Sequence, residues 1–486
     1  MAPRRDPTTK PAPGLPLRQR WRRWWHRLSP PALFLWSFVV LIVVGTVGLV
    51  TLPGLQTGAR MSLVDAVFTM TSAVTITGLV VVDTATRFTA AGQVWILVFV
   101  QIGGIGLVTL TSLLIGALGR QLSLRSEMLA MAPTRREDRP EVWELALRVT
   151  RFSLVVEGLG AVVLFALWLP RFPVEQAAWH AIFHGVMAYC NAGFSTFSDS
   201  LIGLRDSSLS LVVISTLVIV GGFGYLTFEE LVRWGRAAFA RRVRGRLLLR
   251  APHRLSTHTY VVISTSAVLL VAGWLLFAVF EWSDTLGPLS TLDKIWNAWF
   301  MSVTPRSGGF NTVDYGQIGN DSSTLTMILM FIGGSPGSTA GGIKTTTIAV
   351  LFALGLSRMR GRRYVGLRDR AIPEGTLERT VGVFLLAVLV SLVGFFLLGA
   401  IEGAGLSARA SRDQFLPIAF EALSASATVG LSMNVTPTLQ DASKLIVSGL
   451  MFIGRVGLLA FFSALVLRRA AHPAFLRPAQ EDVIVG

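Results

Sequence analysis

The sequence predicts an all-α polytopic membrane protein, with four parallel helix–pore loop–helix repeats set around a central pore. Three observations predict it. Of the 486 residues 52% are hydrophobic and only 15% charged, and the apolar ones come in long unbroken blocks. Lys and Arg crowd onto alternate loops. A glycine followed by Leu or Phe recurs four times at near-constant spacing.

Crossing ~30 Å of hydrocarbon at 1.5 Å per residue takes about 20 apolar residues. Such blocks stand at 32–52, 93–118, 149–169, 209–228, 259–280, 380–400 and 445–467, with an eighth, 324–356, interrupted at its centre. With the N-terminus inside, 33 of the 44 Lys and Arg fall in the tails and in loops 119–151, 230–258 and 357–379, and 8 in the segments between. The other three, Arg306, Lys344 and Arg455, lie within membrane segments. The net charge of +16 therefore orients the chain and faces anionic membrane lipid, and it calls for no nucleic acid. Residues 1–31 read as a basic cytoplasmic tail without a cleavage signal, and 468–486 as a cytoplasmic C-terminal tail. Cys190 is the only cysteine, which excludes an intrachain disulfide.

The recurring pairs are Gly78-Leu79, Gly193-Phe194, Gly309-Phe310 and Gly430-Leu431, separated by 115, 116 and 121 residues. Ten positions before each glycine stands an aromatic residue, Phe68, Phe183, Trp299 and Phe420, in an apolar run too short to span. A second small-residue cluster follows each: 103–106, 221–224, 333–337 and 454–457. Each unit reads as span, re-entrant helix, glycine loop, span, which divides the chain into repeats at 32–118, 149–229, 259–356 and 380–467. Close helix packing accounts equally well for the second cluster.

The four loops are Thr75-Ile76-Thr77-Gly78, Cys190-Asn191-Ala192-Gly193, Arg306-Ser307-Gly308-Gly309 and Ala427-Thr428-Val429-Gly430. They share almost no side-chain chemistry, so a site made from them must use the backbone. Non-helical backbone at membrane depth has to line a cavity or be buried in protein. Four such strands can turn carbonyl oxygens toward one axis and replace the hydration shell of K⁺, with glycine supplying backbone angles that other residues resist. The expected ligands are thus K⁺, with Na⁺ as a second candidate, and no organic cofactor. Asp83, Asp199 and Asp314 follow the first three loops, either as a cation-gathering ring or as ordinary solvated loop acids.

In the third repeat the inner helix is predicted to unwind. Residues 333–347 include Gly333, Gly334, Ser335, Pro336, Gly337, Gly341, Gly342 and Lys344, and five glycines with a proline cannot sustain a helix. The segment is not a phosphate loop, because Ile343 separates Gly342 from Lys344. Arg455 occupies the place that Gly104, Gly222 and Gly334 hold in the other repeats. A midplane arginine costs about 2.5–3.5 kcal/mol on insertion scales and so should face protein or water. It reads as part of a gate with residues 333–347, or as a structural partner of an acid such as Glu421. His184 reads as a packed structural histidine.

Thr304-Pro305-Arg306-Ser307-Gly308-Gly309-Phe310-Asn311-Thr312-Val313-Asp314, the glycine-rich 333–347 and Arg455 together resemble the Trk/Ktr/HKT superfamily of K⁺ transporters, over residues 32–467. The chain is most similar to the Ktr-type pore subunit, since the first repeat follows the tail directly without an extra helix pair. The resemblance implies a K⁺-channel-like fold in the cell inner membrane with both termini cytoplasmic, a homodimer with one pore per protomer, and a cytoplasmic ring of nucleotide-binding regulatory subunits. It also implies K⁺ preference, because Gly78 stands where a serine is associated with Na⁺.

An enzyme is not expected, since six histidines form no HExxH motif and neither a nucleophile elbow nor a Walker motif is present. The rival reading is a secondary transporter coupling K⁺ to Na⁺ or H⁺ by alternating access. That class usually carries paired ionisable residues on inverted repeats. Here the repeats run parallel, and Glu157 is the main acid inside a span.

Overall fold

The computed structural model describes residues 30–106, 139–244, 255–362, 364–368 and 370–457. The expectations for the tails and for the span ends 107–118 and 458–467 lie outside these residues.

In chain order the main helices are α1 (Pro30–Thr51), α2 (Leu63–Val74), α3 (Ala90–Gly106), α4 (Arg139–Trp168), α5 (Val174–Cys190), α6 (Ser208–Phe223) and α7 (Tyr225–Arg244). They continue as α8 (Thr257–Glu281), α9 (Thr291–Val303), α10 (Asn320–Phe331), α11 (Thr345–Met359), α12 (Glu374–Glu402), α13 (Phe415–Ser426) and α14 (Asp441–Val456). Among the described residues α4, α8 and α12 are long and apolar enough to cross a membrane, and the bent pair α6–α7 makes up to four. The outer side of α12 exposes Leu385, Leu389, Leu392, Val393, Phe396 and Leu397, which suits lipid and not water.

Local sequence explains where the short helices start. Ser62 caps α2 by accepting from the Asp65 N–H at 3.1 Å, and Ser290 caps α9 by accepting from the Asp293 N–H at 3.2 Å. The same Ser-x-x-Asp spacing thus opens two of the four short helices, with an acid in the first turn favoured by the helix dipole. Pro173 precedes α5, where a missing N–H costs nothing.

Packing links each short helix to its own unit and to the preceding one. α2 lies on α1, α5 on α4 and α6, α9 on α8, and α13 on α12 and α14. Across units, α9 packs on α6, α13 on α10, and α2 on α14, so the first unit closes against the last. The ion pair Lys444–Asp65, 2.7 Å and largely shielded, ties that closure. Phe68, Phe183 and Phe420 are fully buried as core anchors of their short helices. In α9 the expected anchor Trp299 is only half-buried against Trp274, and its neighbour Phe300 is the fully buried ring.

At three places the structure departs from or extends the expected elements. The block 209–228 is not one straight span: the helix breaks at Gly224, and α7 leaves at 103° to α6. Gly224 has φ +83°, and a Cβ there would fall 2.6 Å from Pro336 O, so the break is where the chain makes room for another segment. Helix α4 begins at Arg139, well before residue 149, because the polar stretch ahead of the apolar block has good helix formers. Loop 357–379 contains a two-stranded antiparallel ladder, Gly366–Leu367 with Arg370–Ala371, a small exception to the all-helical expectation.

Candidate functional site

The four short helices end in the same way. The second residue of each predicted loop turns into the left-handed region: Ile76 (φ 56°), Asn191 (φ 60°), Ser307 (φ 83°) and Thr428 (φ 49°). Two residues later the glycines do so as well: Gly78 (φ 89°), Gly193 (φ 67°), Gly309 (φ 77°) and Gly430 (φ 94°). Composition pointed to the glycines alone. The non-glycine member of each pair carried no signal, because an isoleucine, an asparagine, a serine and a threonine have no common preference for positive φ. The turns are held by equivalent hydrogen bonds, Thr77 N to Ser72 O (2.8 Å), Ala192 N to Met187 O (2.9 Å) and Val429 N to Ser424 O (2.9 Å). Ser72 Oγ and Ser424 Oγ accept in addition from the N–H groups of Gly78 (3.0 Å) and Gly430 (3.1 Å).

The four glycines meet in cyclic order. A methyl group on Gly78 would fall against the Ala192 carbonyl and 2.9 Å from Gly193 Cα, and one on Gly193 would lie 2.9 Å from Gly309 Cα. On Gly309 it would lie 2.6 Å from Val429 O, and on Gly430 it would strike Thr77 O. Segments one, two, three and four thus abut in sequence order and close on the first. Of the sixteen residues all but Gly430 are buried. Among the described residues only one of their sixteen carbonyls accepts a hydrogen bond, Thr428 O from Ser307 Oγ at 2.9 Å.

Residues 333–344 pack against this ring and touch three of the four segments. Thr339 Oγ1 lies 2.9 Å from the Asn191 amide and donates to Tyr189 O at 3.1 Å. The N–H of Gly341 donates to Ser307 Oγ at 2.9 Å, and a methyl on Gly341 would strike Thr428 Oγ1 and Ala427 O. The broken α6 end receives the segment, with Ser335 N donating to Gly222 O (2.9 Å) and Thr339 N to Gly221 O (3.2 Å). Ser338 Oγ folds back onto Ser335 O at 2.6 Å, and Ser335 Oγ meets Thr345 Oγ1 at 3.1 Å. Lys344 Nζ donates to Ala340 O at 2.6 Å, which spends the ammonium on the loop's own carbonyls.

Arg455 is 3% exposed and donates through Nη1 to Thr339 O at 2.5 Å, while its Nε and Nη2 have no hydrogen-bond partner among the described residues. The structural pairing with Glu421 is not formed. Glu421 accepts instead from Ser432 Oγ (2.7 Å) and Thr436 Oγ1 (2.6 Å), which satisfies it within its own unit. His184 bonds His180 O through Nδ1 (2.9 Å) and Ser195 Oγ through Nε2 (3.0 Å) in an aromatic nest, a packed structural residue. Arg306 projects away from the other segments and donates to Ser266 Oγ at 3.1 Å.

The second glycine cluster serves close packing. Gly103, Gly221 and Gly454 each press against the carbonyl that precedes a loop, those of Val74, Tyr189 and Ser426. The third unit departs, since Gly333 faces Gly341 of its own unwound segment. Asp83 and Asp314 are engaged as acceptors, the first from Ser198 Oγ (2.6 Å), the second from Gly316 N (2.9 Å) and Asn434 Nδ2 (2.8 Å). The Ser198 and Asn434 bonds tie loops of different units together, so the two acids do structural work that spacing could not reveal.

Comparison with known proteins places this arrangement. Residues 36–474 match the TrkH family, described as cation transport protein. The chain is 32% identical over 462 residues to the potassium/sodium uptake protein NtpJ of Enterococcus hirae, covering 95% of this chain and 98% of that protein. It is 34% identical over 439 residues to the Ktr system potassium uptake protein B of Bacillus subtilis, covering 90% and 93%. Among solved structures the potassium transporter TrkH of Vibrio parahaemolyticus superposes with a TM-score of 0.70 at 20% identity, over 93% of this chain and 87% of that one. A likeness of this extent in fold and sequence leaves one assignment: the chain belongs to the TrkH family of cation transport proteins.

Proposed function

We propose that this protein takes up K⁺ through a channel-like pore on the axis where residues 75–78, 190–193, 306–309 and 427–430 meet, each with its helices forming one of four repeats. The observation that carries the reading is the set of fifteen carbonyls, on buried or half-buried residues, without a hydrogen bond among the described residues. An unpaired buried polar group costs about 1–3 kcal/mol, so carbonyls in this number call for water or a cation. A desolvated K⁺ supplies the missing partner, and the positive-φ pairs hold the strands in the form that offers it. Side chains contribute little, in keeping with their diversity.

Residues 333–347, with Arg455 as anchor, close the path beneath the filter, since they hydrogen-bond the second residues of segments two and three and a positive charge there opposes a cation. The resemblance to the Ktr-type pore subunit implies a homodimer regulated by a cytoplasmic nucleotide-binding ring, which the basic loops 230–258 and 357–379 would meet. Na⁺ is a second permeant candidate, as one relative is a potassium/sodium uptake protein. The test is Rb⁺ uptake by purified protein in liposomes with K⁺ and Na⁺ as competitors. Uptake blocked by K⁺ and weakly by Na⁺ is expected; no Rb⁺ flux with or without a regulatory subunit would reject the pore.

A further inference from the structure

Behind the second filter segment, side chains from three helices meet inside the fold. Glu157 of α4 is 3% exposed, and its carboxylate accepts from a single amide nitrogen, Gln101 Nε2 of α3, at 2.8 Å to Oε2 and 3.1 Å to Oε1. That pairing points the other end of the amide at the filter, where Gln101 Oε1 accepts from Cys190 Sγ at 3.4 Å. The thiol also lies 3.8 Å from Glu157 Oε1. One turn earlier on α4, Ser153 Oγ sits 2.8 Å from Tyr189 Oη. Two side chains four residues apart on one face of α4 therefore hold consecutive residues at the entry to segment 190–193.

Nothing about packing alone asks for a carboxylate here. A buried acid without a cationic partner is an expensive way to fill space, and Glu157 forms no ion pair among the described residues. What the carboxylate does that an apolar group cannot is choose the orientation of Gln101. A side-chain oxygen at position 157 that accepts from Nε2 fixes that nitrogen toward α4 and leaves Oε1 for the thiol. The first residues of the other segments are held differently: Thr75 Oγ1 bonds Thr71 O in its own unit at 2.7 Å, and Arg306 reaches Ser266 of α8.

We propose that Glu157 is a positioning residue for the filter: it orients the Gln101 amide, which holds Cys190, and through it the carbonyls of residues 190–193, so that the triad determines how tightly the pore takes its cation. This rests on reading 190–193 as one wall of a cation filter.

The experiment uses the full chain in liposomes, with initial Rb⁺ uptake measured against Rb⁺ concentration and against Na⁺ competition. Glu157→Ala leaves the amide free to turn, and Gln101→Met removes both bonds at similar volume. Each raises the Rb⁺ KM by about 3–10-fold, the worth of one side-chain hydrogen bond, with maximal rate changed less and Na⁺ competing better. Glu157→Gln keeps an acceptor oxygen for Nε2 and restores a KM near that of the unaltered chain. Size exclusion on the same preparations separates misfolding, and should Glu157→Ala not fold, Gln101→Met carries the decision. An unchanged KM in the folded variants, or a Glu157→Gln protein as impaired as Gln101→Met, overturns the proposal. Absence of Rb⁺ uptake by the unaltered chain would instead reject the pore itself.

Discussion

Arg455 on α14 and Thr339 in the unwound segment of the third unit are joined by one hydrogen bond, Nη1 to the Thr339 carbonyl at 2.5 Å, across 116 residues of chain. It is the only hydrogen bond of this guanidinium among the described residues, and it links the fourth unit to the segment packed against the ring. Thr339 in turn touches Asn191 and Tyr189, so a single residue connects the guanidinium to segment 190–193.

On the proposed function, Arg455→Ala removes both an anchor and a barrier, and deleting Ser335 to Ala340 removes the plug itself. Both proteins are expected to show higher basal Rb⁺ flux without a regulator, with K⁺ over Na⁺ preference kept, because selectivity is set above them. Flux and size-exclusion behaviour are read on the same samples. A monodisperse Arg455→Ala protein with unchanged or lower flux would sink the gating idea.

Gly78→Ser places a Cβ against the Ala192 carbonyl and 2.9 Å from Gly193 Cα, at φ 89°. Backbone must shift to admit it, so K⁺ over Na⁺ preference should fall in paired Rb⁺ and Na⁺ flux measurements. Thr77→Val loses only the 2.8 Å contact to Thr75 Oγ1 and should change preference much less. Equal preference in Gly78→Ser and the unaltered chain would remove the backbone account of the filter.

Gly224→Ala tests the bend that separates α6 from α7. The added methyl would lie 2.6 Å from Pro336 O and 3.0 Å from Gly337 C, at φ 83° and ψ 142°, a sparsely populated conformation costing about 1–3 kcal/mol for an L-residue. The expected outcome is a lower melting temperature with raised basal flux, as the segment 335–337 is pushed from its seat. A melting temperature and flux equal to those of the unaltered protein would show that the contact is not under strain.

On the outer surface Arg171 holds the Asp206 carboxyl below its ordinary pKa, through Nη1–Oδ1 and Nη2–Oδ2 bonds of 2.8 and 2.9 Å. A depressed carboxyl pKa contributes stability that is present above the unfolded value of about 3.9 and is lost as pH falls through the lower folded value. Both side chains are substantially exposed, at 35% and 60%, so the pair is worth at most about 1 kcal/mol. Asp206→Asn should lower thermal stability slightly at pH 7 and by less below pH 4, checked by melting curves across pH. A loss that persists undiminished at pH 3 would contradict the pairing.

Much of this was legible in the chain. Apolar block length, charge asymmetry and a period near 115 residues are one-dimensional quantities, and each is tied directly to bilayer thickness, orientation or repeated structure. The glycines at 78, 193, 309 and 430 stood out because positive φ selects that residue. The unwinding of residues 333–347 was readable because five glycines and a proline forbid a helix. Other features depended on what lies across space. The break at Gly224 is a glycine within an apolar block, and only the approach of Pro336 and Gly337 gives it a reason. Ile76, Ser307 and Thr428 adopt positive φ against their ordinary preferences, as Asn191 does more easily, in turns bonded back to the preceding helix. Arg455 could have met Glu421 or a carbonyl; that Ser432 and Thr436 already satisfy the acid, leaving the arginine to Thr339, was decided by packing alone. Sequence determines which groups must be satisfied, and the tertiary structure determines by whom.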